Sequence, residues 1–266
     1  EDVTTTPNGA AFVSGFEYYQ HDGSTEIHMS TATAIARSTD EGVTFSDVTG
    51  TAVFTNGNWH FMNFADKVVA VQQNEAPIVY AGTSYSHIVD VNAPQGGAGT
   101  AFGGRLWIAD ADGHTMKWSA LLDETDWTSA DSGAFDFQNV WQGTDVIKAI
   151  TSFNGMLVVM GEYNIVMLSD GAGSALGINP VNAYVLDVIT GVGCSARDSV
   201  QHIDGDLWFV SHSGLMSLGR LMQERSNPID NLSKNVRSAL IADLNASTFD
   251  LSDLRSVYSQ KDRFYL

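Results

Sequence analysis

The sequence predicts an all-β fold: a β-propeller of about five or more blades with a short helical insertion. The first observation behind this prediction is a strand–turn–strand phrase that recurs along the chain. Its copies are anchored by Leu106, Leu157 and Leu207, which lie 51 and 50 residues apart. The second observation is that several short strand-like runs fit into each interval. A period near fifty residues with several strands per period is typical of propellers.

Composition is the third observation in favour of β-structure. The chain has 266 residues, of which 44% are hydrophobic and only 17% are charged. Its polar surface must therefore come largely from Ser, Thr, Asn, Gln and Gly, a composition that favours strands and turns over long surface helices. The length is sufficient for a sizeable core in one large domain or two modest ones.

The charge balance is strongly acidic. The sequence carries 31 Asp and Glu against 13 Lys and Arg, a formal net charge of −18. Proteins that hold nucleic acid through its phosphates need clustered basic side chains, so this class is excluded. An acidic wall would still let DNA pass without adhering to it, and the charge also fits simple solubility or a salt-adapted source.

Strand-like units follow one another along the chain. The first unit divides at Asp22-Gly23, and an Asp-Gly step between two strand-like runs is a strong hairpin signal. Later units are separated by loops rich in Gly, Pro and Ala, which interrupt strands. These units span 59–80, 104–127, 147–169 and 198–218, and the loops span 92–101 and 171–180.

A capped turn closes the first unit. The segment 38–45 fits the pattern Ser-x-Asp-x-Gly-x-Thr-aromatic, the Asp-box that is seen in many propellers. We expect Ser38 and Asp40 to accept hydrogen bonds from backbone amides of the turn. Gly42 should supply a positive φ, and Phe45 should be buried in the blade. The motif therefore predicts a blade hairpin in preference to a ligand site.

One segment breaks the β pattern. From Pro228 the apolar residues recur in steps of three to five, which predicts an amphipathic helix of about four turns. Ser226 or Asn227 would cap this helix, with Pro228 at its first position. Because the sequence stops within a strand-like run, we expect the chain to be part of a longer polypeptide. The predicted divisions are the propeller blades at 1–225, the helical insertion at 226–250 and the start of a further blade strand at 251–266.

No residue is predicted to be catalytic, to bind a cofactor or to ligate a metal. The seven histidines include none of the close pairs that metal sites favour. His202 and His212 flank one hairpin and could approach each other across it, but no third ligand lies nearby in the sequence. The stretch 110–113 resembles the start of a calcium loop, yet it lacks the later ligands and the closing Glu. A tight Asp-Gly turn is predicted there instead.

Three other features have structural explanations. Asp123, Glu124 and Asp126 are close in sequence, but a glycosidase needs two carboxyl groups that face each other across a cleft. A sialidase-like site needs several arginines around a substrate carboxylate; the eight arginines are scattered in sequence, although folding could gather three of them. Cys194 is the only cysteine, which excludes an intrachain disulfide, and it is predicted to be a small buried filler.

No membrane or export segment is expected from the sequence. No run approaches the roughly 18 apolar residues that a membrane-spanning helix requires. The sequence begins without Met and without a charged-then-apolar leader, so no signal peptide is predicted.

A more specific phrase lies within residues 104–170. It reads Trp-Ser … Asp-x-x-Asp-Trp-Thr at 118–128, and strand runs of the repeat precede and follow it. Together with its flanking strands, this phrase resembles the propeller of tail nozzle proteins from short-tailed bacteriophages. The stretches 205–218 and 231–234 also fit that pattern, so the resemblance covers most of the chain.

The resemblance implies a structural protein of the virion, located in the phage tail and without catalysis. Its partners would be copies of itself in a homo-oligomeric ring, a hexamer, together with tail adaptor and tail fibre proteins. The ring would retain packaged DNA and form the conduit for its ejection, with DNA passing through the channel without specific binding. One departure from the family is length, because nozzle subunits are usually much longer and have an additional platform region.

Two other hypotheses stay open at this point. The Asp-box pattern also fits a glycan-binding or sialidase-like propeller, which predicts a central pocket with clustered arginines and facing carboxylates. A generic protein-binding propeller is the third hypothesis, and the sequence does not separate it from the first.

Overall fold

The structure is a computed structural model, and it confirms the predicted fold class. Five antiparallel sheets of three or four strands are the blades of a β-propeller, and a two-stranded ladder follows them. The chain divides into two compact units, 1–136 and 137–266. The structure describes residues 9–53, 55–141, 144–171, 178–224, 232, 235, 237–246, 250–251, 254–259 and 264–265.

The first unit contains three four-stranded sheets, each with its strands in chain order. Sheet 1 consists of β1 (Ser14–Tyr19), β2 (Thr25–Ser30), β3 (Ile35–Ser38) and β4 (Ser46–Asp47). Sheet 2 consists of β5 (His60–Phe64), β6 (Lys67–Val71), β7 (Ile78–Tyr80) and β8 (Tyr85–His87). Sheet 3 consists of β9 (Gly99–Phe102), β10 (Arg105–Ala109), β11 (Thr115–Trp118) and β12 (Gly133–Asp136). Strand β5 contacts both β1 and β9, so the first strands of the three sheets lie side by side.

The second unit contains two further sheets, two short α-helices and the final ladder. Sheet 4 consists of β13 (Ile147–Phe153), β14 (Met156–Gly161), β15 (Asn164–Ser169) and β16 (Tyr184–Thr190). Sheet 5 consists of β17 (Gln201–Ile203), β18 (Asp206–Ser211) and β19 (Gly214–Ser217). The remaining elements are α1 (Leu218–Glu224), α2 (Arg237–Leu244), β20 (Tyr258–Ser259) and β21 (Phe264–Tyr265), together with 3-10 helices at Pro180–Asn182 and Arg197–Ser199.

The recurring strand–turn–strand phrase corresponds to the second and third strands of a blade. Leu106, Leu157 and Leu207 each lie on the second strand of their sheet, and each is fully buried. The turns before two of these strands are Asn154-Gly155 and Asp204-Gly205, in which both residues have positive φ. This is the conformation of a type I′ hairpin turn, which Asn-Gly and Asp-Gly adopt readily.

The core of the first unit lies between consecutive sheets, as β6 shows. Val68 and Ala70 pack in a cluster with side chains of sheet 1, whereas Val69 and Val71 pack in a cluster with side chains of sheet 3. Successive side chains of a strand point to opposite faces, so a strand between two sheets must be apolar at every position. This explains why the runs in the middle of the blades are continuous stretches of hydrophobic residues.

The end of the last complete unit differs from its prediction. The sequence predicts a strand through Leu218, whereas α1 begins at that residue. The carboxylate of Asp206 accepts the amide of Gly219 at 2.8 Å, and the hydroxyl of Ser217 accepts the amide of Arg220 at 3.2 Å. Side-chain acceptors for the first amides of a helix favour helix initiation, which is why the strand stops here.

The predicted amphipathic helix is shorter than the sequence suggests. Leu232 and Asn235 lie in turns, and α2 begins only at Arg237. The amide of Leu232 donates to the carbonyl of Leu215 at 3.0 Å, which ties this stretch to β19 instead of to a helix. No residue of α2 is buried. The predicted cap and first turn at 226–231 lie outside the described residues.

The segment 251–266, which is predicted to begin a further blade strand, contains β20 and β21. Tyr258 faces Tyr265 across their antiparallel ladder. Leu266 lies outside the described residues. In the described part of the chain, no helix is long and apolar enough to cross a membrane. The predicted divisions at 225 and 250 stay predictions.

Candidate functional site

The segment 118–128, on which the phage resemblance rests, folds as a loop that caps itself. The indole N–H of Trp127 donates to the carbonyl of Glu124 at 2.9 Å, and the Trp127 side chain is buried. A carboxylate oxygen of Asp126 accepts the amide of Thr128 at 3.1 Å. Such short-range bonds fix the turn without any partner. The polar residues of the phrase therefore stabilise the loop that connects β11 and β12 of sheet 3.

Side chains of sheet 2 and of the segment after it hold this loop in place. Asp90, which follows β8, accepts the backbone amide of Trp127 at 3.0 Å and the hydroxyl of Thr128 at 2.9 Å. Glu124 is buried and forms an ion pair with Lys67 of β6 at 2.5 Å. Asp123 accepts the amide of Thr125 at 2.8 Å. Of the clustered carboxylates, Glu124 thus holds the loop to sheet 2, whereas Asp123 and Asp126 stabilise the loop itself.

The histidines and the Asp-Gly turn have separate structural partners. His202 contacts the hydroxyl of Thr151 at 3.2 Å, whereas His212 contacts Glu162 at 3.1 Å. The stretch 110–113 is a tight turn in which the last amide donates to the first carbonyl at 3.1 Å. Within the described residues, no group of three or more His, Cys, Asp or Glu side chains is placed to hold a metal ion.

The arginines with described ion pairs are spread over three carboxylates. The pairs of the first unit are Arg37 with Glu26 and Arg105 with Asp131. In the second unit, Arg197 and Arg255 both contact Asp198, at 2.7 and 3.1 Å. Arg225 and Arg263 lie outside the described residues. The described ion pairs thus place two arginines on one carboxylate, and a sialidase-like clamp requires more.

Cys194 is a buried thiol, as predicted. Its side chain is fully buried, and its Sγ donates to the carbonyl of Ala196 at 3.0 Å. Burial raises the pKa of this thiol to about 11. Because the thiolate is the reactive form of cysteine, a buried thiol with a raised pKa is inert.

The turn at 38–45 has the predicted hydrogen bonds. The hydroxyl of Ser38 accepts the amide of Gly42 at 2.9 Å, and a carboxylate oxygen of Asp40 accepts the amide of Thr44 at 2.8 Å. Gly42 has a φ of 87°. The side-chain and backbone hydrogen bonds from Thr44 lower the pKa of Asp40 to about 2. The turn is held by its own side chains.

Phe45 is not buried in the blade, contrary to the sequence prediction. Its side chain is half-buried and packs against Phe12, with the two ring centroids 5.1 Å apart. Strand β4, which follows it, has only two residues, and both are exposed. Phe45 therefore lies at the outer edge of sheet 1, beside the ring of Phe12.

A polar cavity that the sequence did not predict lies between sheets 1 and 2. Its volume is about 530 Å³. Residues of the β1–β2 and β3–β4 turns of sheet 1, and of the β5–β6 and β7–β8 turns of sheet 2, line the cavity together with the adjoining strand ends. The lining side chains that matter most for its chemistry are Tyr18, Asp22, Glu26, Arg37, Asp66 and Tyr80.

A buried ion pair forms one wall of this cavity. Glu26 of β2 is 3% exposed, and Arg37 of β3 donates to both of its oxygens, with Nε at 2.6 Å. Gln20 and His28 each contribute a further hydrogen bond. Burial alone would raise the pKa of Glu26, but the hydrogen bonds and charge of Arg37 outweigh burial and hold it below its usual value. Glu26 is thus ionised, and four nitrogen atoms contact its two oxygens.

His28 lies behind this ion pair in the neutral form. Its Nε2 is 3.2 Å from Glu26, and its Nδ1 is 2.9 Å from the hydroxyl of Tyr85. Burial lowers the pKa of His28 to about 4 and raises the pKa of Tyr85 well above its usual value. The consistent assignment is that Nε2–H donates to Glu26 and that Tyr85 donates to Nδ1.

One sequence signal could have pointed to this cluster. Glu26, His28 and Ser30 are the buried residues of β2, and they alternate along it. A strand that faces the core normally places apolar residues at such positions, so buried polar residues need specific partners. Those partners come from other strands, and the local pattern alone does not name them.

Comparisons with known proteins support the fold. No protein-family model and no curated protein matches the sequence. Among solved structures, virginiamycin B lyase from Staphylococcus aureus is similar with a TM-score of 0.50 and 13% identity, over 79% of this chain and 66% of that chain. A structure of YCF48 bound to D1 peptide has a TM-score of 0.49 and 12% identity, over 71% of this chain and 59% of that chain. The chain therefore spans 59 to 66% of the length of these proteins. At such low identity the similarity shows the β-propeller fold alone.

Proposed function

We propose that this chain is the propeller part of a tail nozzle subunit of a short-tailed bacteriophage, a structural virion protein without catalysis. The observation that carries the proposal is the loop at 118–128. The residues that resemble the nozzle family hold this loop to itself and to sheet 2 through Asp90 and Glu124. A segment fixed in this way supports an architectural role, because its carboxylates are engaged with the protein and not exposed in a cleft.

The charge of the chain supports a conduit for DNA. With a formal net charge of −18, a ring of such subunits would present an acidic surface to the phosphates. Like charges repel, so DNA would be retained by the closed ring and would pass without adhering when the ring opens. The proposed partners are further copies of this chain in a hexamer, the tail adaptor and the tail fibre proteins.

The test is the composition of purified tails. Tails are isolated from a phage that encodes this chain, and quantitative mass spectrometry compares its copy number with that of the portal protein as a positive control. We expect the chain in the tail at the ratio of a hexamer, and electron microscopy should place the propeller in a ring. Absence of the chain from tails that contain the portal protein would refute the proposal.

A pair of loop variants tests the architectural role. Asp90→Ala removes the acceptor for Trp127 and Thr128, whereas Asp123→Ala removes the acceptor for the amide and hydroxyl of Thr125, two residues away. Both variants are first checked for a folded state by thermal melting. We expect fewer Asp90→Ala subunits in assembled tails and a normal number of Asp123→Ala subunits. Equal incorporation of the two variants would contradict a role of this loop in assembly.

The Asp-box hypothesis of a glycan-binding or sialidase-like propeller stays a prediction. Its enzymatic form is tested with a fluorogenic sialoside. Turnover that is lost on substitution of Arg37 or Arg197 would support a sialidase and would contradict a purely structural role.

A further inference from the structure

We propose that the turn between β13 and β14 is a site of spontaneous covalent modification, at which Asn154 loses its side-chain amide and becomes an aspartyl or isoaspartyl residue. This inference does not depend on the tail role. The sequence contains three Asn-Gly pairs, at 8–9, 56–57 and 154–155. Asn8 lies outside the described residues. The structure places the other two pairs in opposite surroundings.

The reaction needs only an asparagine, the backbone amide that follows it and water. The amide nitrogen of Gly155 loses its proton and attacks Cγ of Asn154, so a C–N bond forms, ammonia leaves and a cyclic succinimide remains. Water then cleaves one of the two C–N bonds of the ring: cleavage at Cγ gives Asp, and cleavage at the backbone carbonyl carbon gives isoaspartate. In total, Asn and water yield Asp or isoaspartate and ammonia. Glycine favours the ring closure because it has no Cβ to hinder the approach.

Asn154 and Gly155 are open to water and are not held in place. Both residues are exposed at the tip of a two-residue hairpin turn, beyond the pair that Phe153 forms with Met156. Within the described part of the chain, neither the Asn154 side chain nor the Gly155 amide makes a hydrogen bond. A Cβ added at Gly155 would meet no atom within 4 Å. The attacking nitrogen and the carbon that it attacks are thus both accessible, as is typical of exposed loop tips.

The pair Asn56-Gly57 is held by its surroundings. Oδ1 of Asn56 accepts the amide of Asn58 at 2.8 Å and a side-chain N–H of Gln72. Gly57 is buried, and a Cβ added there would lie 2.3 Å from the carbonyl oxygen of Thr31. Ring closure at Asn56 therefore requires this segment to open first, which lowers the rate by the population of the open state.

The two products affect sheet 4 differently. Asp fits the turn, because Asp204-Gly205 has positive φ at both positions in the corresponding hairpin of sheet 5. An isoaspartyl residue carries the main chain through Cγ and so adds one carbon atom to the backbone of the turn. Because the turn fixes the register of a hairpin, this product disturbs the pairing of Phe153 with Met156. The modification therefore destabilises sheet 4 through the isoaspartyl form.

The test is to incubate the chain of 266 residues at mildly alkaline pH, both folded and unfolded in urea. Peptide mapping by mass spectrometry measures the mass gain at each Asn-Gly pair, and electron-transfer fragmentation distinguishes Asp from isoaspartate. In the folded protein we expect Asn154 to react at least about tenfold faster than Asn56, because only Asn56 needs local opening. In urea the two should react at similar rates. Equal rates in the folded protein, or no reaction at Asn154 while the unfolded chain reacts, would overturn the proposal.

Two variants at the same position test the effect on sheet 4. Asn154→Gly removes the reacting side chain and keeps the turn, since Gly-Gly also adopts it. Asn154→Asp corresponds to the aspartyl product and should melt at the temperature of the fresh wild type. We expect the melting temperature of the wild type to fall as isoaspartate accumulates, and that of Asn154→Gly to stay unchanged through the same incubation. Equal losses in the wild type and in Asn154→Gly would contradict the role of this turn.

Discussion

Lowering the pH from 7 to 5 should destabilise the fold through His28. This side chain is fully buried in sheet 1, and burial lowers its pKa to about 4, against about 6.5 in the unfolded chain. As the pH falls, the unfolded chain binds a proton near pH 6.5, whereas the folded chain binds one only near pH 4. The stability that comes from neutral His28 is therefore present above pH 6.5 and is lost progressively down to pH 4.

The size of this effect follows from the two pKa values. The interval between 6.5 and about 4 corresponds to about 3 kcal/mol of free energy of unfolding over the whole range, and to about 2 kcal/mol between pH 7 and 5. Two charged groups face His28 from sheet 1. Glu26 raises the pKa of the ring and Arg37 lowers it, and burial is the largest of these influences.

Urea unfolding of the wild type and of His28→Gln at pH 7, 6 and 5 measures the effect. Gln can still donate to Glu26 and accept from Tyr85, so the variant is suited to replace the neutral ring. The pKa of His202 is also lowered by burial, but it contributes equally to both proteins. We expect the wild type to lose about 2 kcal/mol more than the variant between pH 7 and 5. Equal losses, or a His28 ring that titrates near pH 6.5 by NMR, would refute the reasoning.

The local geometry also predicts the effects of two glycine substitutions and of a thiol reagent. Gly42→Val should lower the free energy of unfolding by about 1–3 kcal/mol, because a valine at a φ of 87° has a strained backbone. A new Cβ would lie 3.8 Å or more from its nearest atoms, so the expected cost comes from the backbone and not from a clash. An unchanged melting temperature would contradict this strain. Gly96→Ala should cost about 1–3 kcal/mol in urea unfolding, because its Cβ would lie 2.3 Å from the carbonyl oxygen of Ala109, and wild-type stability would show that this approach relaxes freely. Cys194 should not react with a thiol reagent at pH 8 until urea is added, and rapid labelling of the native protein would exclude its burial.

The blades were predictable because their signals are local. The leucine anchors recur at the blade period, and Asn154-Gly155 and Asp204-Gly205 adopt positive φ at both positions in their hairpins. The hydrogen bonds of the turn at 38–45 were predictable for the same reason, since donors and acceptors lie within a few residues of each other. The start of α2 was not predictable, because the bond from Leu232 to Leu215 on β19 overrides the helical period.

By itself, the sequence determined the class of fold, the place of the hairpins and the acidic charge, which depend on composition and on neighbours along the chain. Only the tertiary structure decided the polar cavity between sheets 1 and 2. Glu26 and Arg37 meet across β2 and β3, while Asp66 and Tyr80 come from turns and strands of the next sheet. The physical reason is that a cavity is defined by side chains from separate strands, whose approach depends on how two sheets pack and not on any spacing in the sequence.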